Sequence, residues 1–221
     1  MAGLARIGSL MAQFFTIHPL NPQLRLLRQA ATLLDAGGLI AYPTDSSYAF
    51  ACALEHKSAQ ENIRRLRGLT EDHPFSLICH GLADVSAYAH LDNHLYRLLK
   101  SVVPGPYTFI LRVNRKIPRR VLHVKRSVMG FRIPDHPVVQ ALLSVFGRPF
   151  LSSTLWLPEM ETPFADANDI RLRLEHEVDL ILDGGPSGNV PTTVIDLTDI
   201  EPILLRAGAG NLSPFGLLNE P

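Results

Sequence analysis

Arginines and hydroxyl residues recur at the ends of apolar segments in this chain. They are Thr44 in YPTD, Thr108 after Pro104-Gly105-Pro106, Arg132 in GFRIP, Ser152 to Thr154 after PFL, Thr192-Thr193 in PTTVID, and Arg206 in LLRAG. An arginine presents a planar fork of donors that matches a carboxylate or a phosphate. Hydroxyls add short, orientable donors and acceptors. Each of these residues sits beside a glycine or proline turn, and strand-end residues of an α/β sheet face the crevice where ligands bind. Alone, any one of them reads as a structural cap or turn. Together they predict a single pocket for an anion.

Other chemistries fit less well. There is no G-x-x-x-x-G-K-[ST] and no strand-linked G-x-G-x-x-G, so no standard phosphate loop is present. Gly184-Gly185-Pro186-Ser187-Gly188 reads as a turn after VDLIL rather than an anion nest. It lacks the spacing of a nucleophile elbow, and no histidine is paired with it, which disfavours a serine hydrolase. His90 and His94 are the one H-x-x-x-H pair; the other histidines are scattered and there is no C-x-x-C, so no protein-held metal is expected. Cys52 and Cys79 lie in separate apolar segments and read as reduced core thiols.

The elements that must position these residues alternate between helix and strand. Asn21-Pro22 predicts a helix start, with apolar residues at helical spacing to Asp35 and a stop at Gly37-Gly38. LIAYP and SYAFACA read as strands, and Ser58-x-x-Glu61 as a capping box opening a helix through Arg67. FSLIC reads as a strand, and Asp92 caps a helix to about Ser101. YTFILRV, VMGFRI, a helix from Pro137 to Phe146, and PFLSS follow. A helix near Asp169–Glu177 and the strands VDLIL, TTVIDL and PILLR finish the pattern. Near-continuous apolar strands imply an α/β sheet covered on both faces. TTVIDL and PILLR lack an intervening helix, so at least one antiparallel connection is expected. No linker divides the chain, which predicts one domain.

Composition sets the remaining bounds. Hydrophobic residues make up 46% and charged residues 19%, which excludes compositional disorder. No apolar stretch approaches the roughly 20 residues of a membrane span, and MAGLARIGSL is a poor signal peptide, so a cytoplasmic protein with no membrane partner is expected. Net charge is zero but unevenly spread. No acidic residue falls between Asp92 and Asp135, whereas ten of the 21 basic residues do, among them Arg115, Lys116, Arg119, Arg120, Lys125 and Arg126. Such a block suits a polyphosphate such as an RNA backbone; a merely solvated basic face is the alternative.

The same segments carry a resemblance. Gly37-Gly38-Leu39-Ile40-Ala41-Tyr42-Pro43-Thr44-Asp45 with Tyr48 resembles the opening motif of the YrdC/YciO family. So do Pro104-Gly105-Pro106-Tyr107-Thr108-Phe109, Gly130-Phe131-Arg132-Ile133-Pro134, Pro191-Thr192-Thr193-Val194-Ile195-Asp196, and Arg206 followed by Gly208. The matches run in family order from about Gln13 to Gly210, and the FFTIHPLNPQ start and PTDSSYAFA look closest to the YciO branch. The resemblance implies a single-domain α/β fold with a twisted mixed sheet flanked by helices over 13–210, a flexible extension over 1–12, and a tail over 211–221. It implies threonylcarbamoyl-adenylate synthase-like activity on L-threonine, bicarbonate and ATP with Mg²⁺ carried by the phosphates, linked to tRNA modification. By position, Thr44, Arg132, Ser152 and Thr192 would surround the amino acid, and Arg67, Thr154 and Arg206 the nucleotide. No catalytic residue is assigned.

The chain departs from the synthase pattern in places. Arg67 and Leu69 stand where that pattern has Lys-x-Arg, and Thr154-Leu155-Trp156 where it has Ser-Ala-Asn. Arg64 or Arg65 is a candidate substitute for the missing cation, and Trp156 reads either as core or as part of the nucleotide pocket. The alternatives are therefore a tRNA or double-stranded RNA-binding protein with little synthase activity, or a hydrolase of a carbamoyl-adenylate.

Overall fold

Strand segments of three to six residues, three of them buried along their whole length, need neighbours on both edges and cover on both faces. The computed structural model describes residues 11–70, 75–122 and 127–217, and of Arg120 the backbone only. The order is β1 (Gln13–Thr16), α1 (Leu24–Asp35), β2 (Ile40–Tyr42), β3 (Ala49–Cys52), α2 (Lys57–Arg67), β4 (Ser76–Ile78), α3 (Leu82–Tyr88) and α4 (Asn93–Lys100). There follow β5 (Tyr107–Arg112), β6 (Val128–Arg132), α5 (Pro137–Phe146), β7 (Phe150–Thr154), α6 (Ala167–Leu174), β8 (Leu180–Asp183), β9 (Thr193–Asp196) and β10 (Ile203–Arg206).

All ten of these strands form one sheet in the order β1-β8-β2-β3-β7-β4-β6-β5-β9-β10. It is a single-domain mixed α/β fold. The antiparallel β9–β10 pair matches the expectation from its missing helix, but antiparallel pairing goes further, joining β2–β3, β3–β7, β4–β7 and β5–β6 as well.

Alternation along the strands sorts the side chains into two cores. On one face Phe50, Leu77, Phe109, Phe131, Leu151 and Ile195 pack with residues of α2, α3, α4 and α6. On the other, Tyr42, Ala51, Phe150, Leu180 and Leu182 pack beneath α1 and α5. That second cover runs from β1 to β4. Among the described residues its two helices do not reach the same face of β6, β5, β9 and β10, and the candidate site lies there and on the adjoining positions of β4 and β7.

Several element starts differ from the sequence reading. Gln23, not Pro22, opens α1, and its side chain turns back to accept from His18 N at 3.1 Å. Ser58 lies inside α2 rather than capping it, since the helix begins at Lys57 after His56, with no side-chain cap. Asp166 caps α6 by accepting from Asn168 N at 2.7 Å, which moves that helix ahead of Asp169. Asp92 caps α4 as expected, accepting from Leu95 N at 2.7 Å. Past residue 210 the chain still packs, with the Phe215 ring 5.7 Å from Tyr107 and 6.0 Å from Phe109. Residues 1–10 lie outside the described residues.

Candidate functional site

The uncovered sheet face holds a cavity of about 170 Å³. Its floor comes from alternate strand positions: Ser76 on β4, Thr108 and Ile110 on β5, Ser152 and Thr154 on β7, and Val194 on β9. Gly130 belongs to this floor too. A Cβ there would meet Ser76 Oγ at 2.8 Å and Thr108 Cγ2 at 3.0 Å, so only glycine leaves the space open. Three guanidinium groups complete the walls: Arg67 from the last turn of α2, Arg132 from β6 and Arg206 from β10.

Arg132 is almost fully buried and anchored on one side. Its Nη2 pairs with Asp45 and donates to Thr44 Oγ1 at 3.1 Å and Ser46 Oγ at 2.9 Å. Asp45 is fixed in turn, accepting from Asp135 N at 3.0 Å. On the other side Arg132 Nε is buried with no hydrogen-bond partner. A buried donor without a partner carries a desolvation cost of about 1–3 kcal/mol, which a bound acceptor would remove.

Arg206 and Arg67 are held by neutral oxygens. Arg206 donates through Nε and Nη2 to the Thr192 carbonyl at 3.1 and 2.9 Å, and through Nη2 to Thr192 Oγ1 at 3.1 Å. Thr192 Oγ1 also stands 2.9 Å from Thr108 Oγ1. Arg67 donates through Nε to the Trp156 carbonyl at 3.2 Å and through Nη1 to Ser153 Oγ at 2.6 Å. Burial, then the neighbouring charge of Arg206, pulls the Arg67 pKa down to about 10. Partial desolvation of this surface side chain, then Arg132, lowers that of Arg206. No carboxylate lines the cavity among the described residues. Two cations that repel each other and lack an acid form a site for an anion.

Of the residues singled out in the sequence, Arg67, Arg132, Ser152, Thr154, Thr192 and Arg206 come together around this cavity. Thr44 does not line it. Its Oγ1 donates to the Ser47 carbonyl at 2.6 Å and accepts from Ser46 N, Ser47 N and Arg132, so it acts behind Arg132. Ser76 was missed because FSLIC reads as an apolar run; only the register that sets Ser76 opposite Gly130 reveals it. Ser153 enters as the partner of Arg67.

The departures from the synthase pattern also have places. Leu69 is half-buried beyond Gly68 and does not line the cavity. Arg65 pairs with Glu177, and Arg64 lies over the Phe75 ring at 4.7 Å, so neither fills the role of a second cavity cation. The Trp156 indole donates to the Met160 carbonyl at 2.8 Å and is not in the cavity wall. Its contribution to the site is its backbone oxygen.

Elsewhere, Arg115, Lys116 and Arg119 are exposed. Lys125 and Arg126 lie outside the described residues, as does the Arg120 side chain. A larger, more open groove of about 850 Å³ runs past His90, His94, Arg112 and Asp199. Its arginine is already paired with that aspartate at 3.1 Å, so it has less to offer an anion than the smaller cavity. Among the described residues no cluster of three or more His, Cys, Asp or Glu is placed to hold a metal, and no helix is long and apolar enough to cross a membrane.

Known proteins share this architecture. The Sua5/YciO/YrdC family model, described as telomere recombination, matches residues 32–208. The protein YciO of Escherichia coli K12 is 49% identical over 205 residues, covering 93% of this chain and 100% of that protein. Its crystal structure superposes with a TM-score of 0.90 over the same shares. Threonylcarbamoyl-AMP synthase of Bos taurus is 31% identical over 202 residues, 88% of this chain and 72% of that protein. The crystal structure of P. abyssi Sua5 complexed with L-threonine, 24% identical, superposes with a TM-score of 0.81 over 88% of this chain and 57% of that one, a likeness of fold.

Proposed function

The chain belongs to the Sua5/YciO/YrdC family, and on that premise we propose that its cavity binds ATP, L-threonine and bicarbonate and joins them into threonylcarbamoyl-adenylate with release of pyrophosphate. The observation that carries this reading is the trio Arg67, Arg132 and Arg206 on one cavity, two of them without an acidic partner among the described residues. The 31% identical relative named threonylcarbamoyl-AMP synthase supports it.

In this reaction the carbamate of threonine attacks the α-phosphorus through oxygen, and pyrophosphate leaves with the P–O bonding pair. Negative charge builds on the phosphoryl oxygens and the leaving group. The protein's part is to position reactants and to offset that charge with donors already in place. Arg67, Thr154 and Arg206 serve the nucleotide, whose phosphates bring the Mg²⁺. Arg132, Ser152 and Thr192 serve the amino acid, with Thr44 and Asp45 holding Arg132. Leu69 leaves α2 with one cavity cation, Arg67, so turnover is slow. The product feeds tRNA modification.

Incubation with labelled bicarbonate tests the reading. Label is expected in an adenylate, and pyrophosphate release requires both threonine and bicarbonate. Pyrophosphate release that ignores either substrate, or none at all, rejects it.

A second reading concerns the exposed Arg115, Lys116 and Arg119, which lie in a stretch without acids. This surface takes a tRNA or double-stranded RNA backbone. With roughly five phosphates neutralised, log K against log salt falls with a slope near −4 to −5. Changing the three residues to serine flattens it by roughly 0.9 for each phosphate that no longer meets a cation. A flat response in the unaltered protein removes the reading.

A further inference from the structure

Ser152 lies in the cavity wall with its proton already placed. Its Oγ stands 2.9 Å from the Phe50 carbonyl oxygen, which can only accept. The buried Tyr42 hydroxyl stands 2.8 Å from the same Oγ. A hydroxyl has one proton, so the phenol donates to the serine and the serine donates to the carbonyl. What Ser152 turns to the cavity is a lone pair. It accepts from an N–H, and it has nothing to give a carboxylate or phosphate oxygen.

The rest of the wall opposes a further positive charge. Asp45 offsets Arg132, while Arg67 and Arg206 lie uncompensated in each other's field among the described residues. An ammonium entering before any polyphosphate would be one more cation there, and like charges favour the uncharged form. We infer that this cavity takes its amine substrate as the free base, the nitrogen donating to Ser152 Oγ while Tyr42 fixes that hydroxyl as an acceptor.

The inference rests on the reading above that an amino acid is the substrate, and it deepens it. The proton leaves to solvent on binding, and the nitrogen keeps the lone pair that carboxylation requires. Free amine and hydrogen carbonate then give carbamate and water, an N–C bond forming as a C–O bond breaks. The titratable and charged groups facing this region are Tyr42 from β2, Asp45 from the loop before β3, Arg67, Arg132, Arg206, and His136 at the start of α5. Burial raises the first and lowers the last, so both stay neutral between about pH 7 and 8.5.

Calorimetry on the nucleotide-free protein in buffers of different ionisation enthalpy reads the proton directly. L-threonine is expected to release close to one proton per molecule bound, with affinity rising about tenfold per pH unit below its ammonium pKa. 2,3-Dihydroxybutyrate, with a hydroxyl in place of the amine, shows neither effect. Ser152→Ala removes the acceptor without changing charge and weakens threonine about tenfold. Threonine binding with no proton release, or unchanged affinity in Ser152→Ala, overturns the inference and leaves the synthase reading standing. Failure of threonine to bind at all removes that reading, and the inference with it.

Discussion

Arg67 at the end of α2 and Arg206 on the edge strand β10 face the same cavity, each tethered by neutral oxygens and, among the described residues, neither by an acid. A base whose folded pKa lies below its unfolded value binds fewer protons in the folded state. Its charge therefore works against the fold at neutral pH, and the cost fades only as pH climbs past the lowered pKa, about 10 for Arg67. An entering anion removes the same cost. Arg67→Gln is accordingly expected to keep or raise the thermal midpoint of the free protein. A charged hydrogen bond is worth about 1.5–3 kcal/mol, so ATP binding should fall ten- to a hundredfold. Melting curves with and without ATP check both halves.

Asp45 and Arg132 form the opposite kind of pair, with side chains only 10% and 8% exposed. Removing one member leaves the other charge buried and alone, at about 3–5 kcal/mol. Asp45→Ala should lower stability by that order in urea titration. Asp35 pairs with Arg148 at 2.7 Å at the surface, and Asp35→Ala should cost less than about 1 kcal/mol. Equal losses would contradict the burial argument.

Gly130→Ala puts a methyl between Ser76 and Thr108 on the cavity floor. The Ser76 hydroxyl can rotate aside, so the fold should survive with a loss of about 1–3 kcal/mol from overpacking. The cavity loses the space a ligand needs. Retained secondary structure by circular dichroism with abolished ATP or threonine binding is the expected outcome.

The two cysteines predict a pH limit. Burial pushes the Cys52 thiol up to about 12 and raises Cys79 well above its ordinary range. Groups raised in the folded state lend stability that is complete below the unfolded pKa and lost as pH rises toward the folded one. Stability should therefore fall above about pH 9, by up to 1.4 kcal/mol per unit and thiol. Urea midpoints between pH 8 and about 10.5 follow this, and Cys52→Ala should make the decline shallower. A thiol reagent should report neither cysteine until the protein unfolds.

The strands and most helices were legible because apolar runs and helical spacing report burial directly. The elements that escaped carry little such signal. β1 is four residues with its first and last exposed, and α3 is seven residues with no side-chain cap. At the site, the guanidinium groups of Arg132 and Arg206 announced themselves by type and by their neighbouring turns. Ser76 did not, since its role depends on pairing with β6 across the sheet. Thr44 looks like a ligand contact in sequence, yet its Oγ1 accepts from Arg132, which also pairs with Asp45. A string of letters shows what a side chain can bond to and leaves open which way it points.

The cavity draws one wall from near the start of the chain and the other from its last strand. Thr193 clasps Gly208 and Gly210, accepting from both backbone nitrogens and donating to the Gly210 carbonyl, and this loop follows directly on Arg206. A polypeptide still emerging from the ribosome can fold β2 through β8 and yet own no ligand site. Competence arrives in one step when β9 and β10 dock, so nascent chains halted short of residue 206 should ignore ATP however well the remainder has folded.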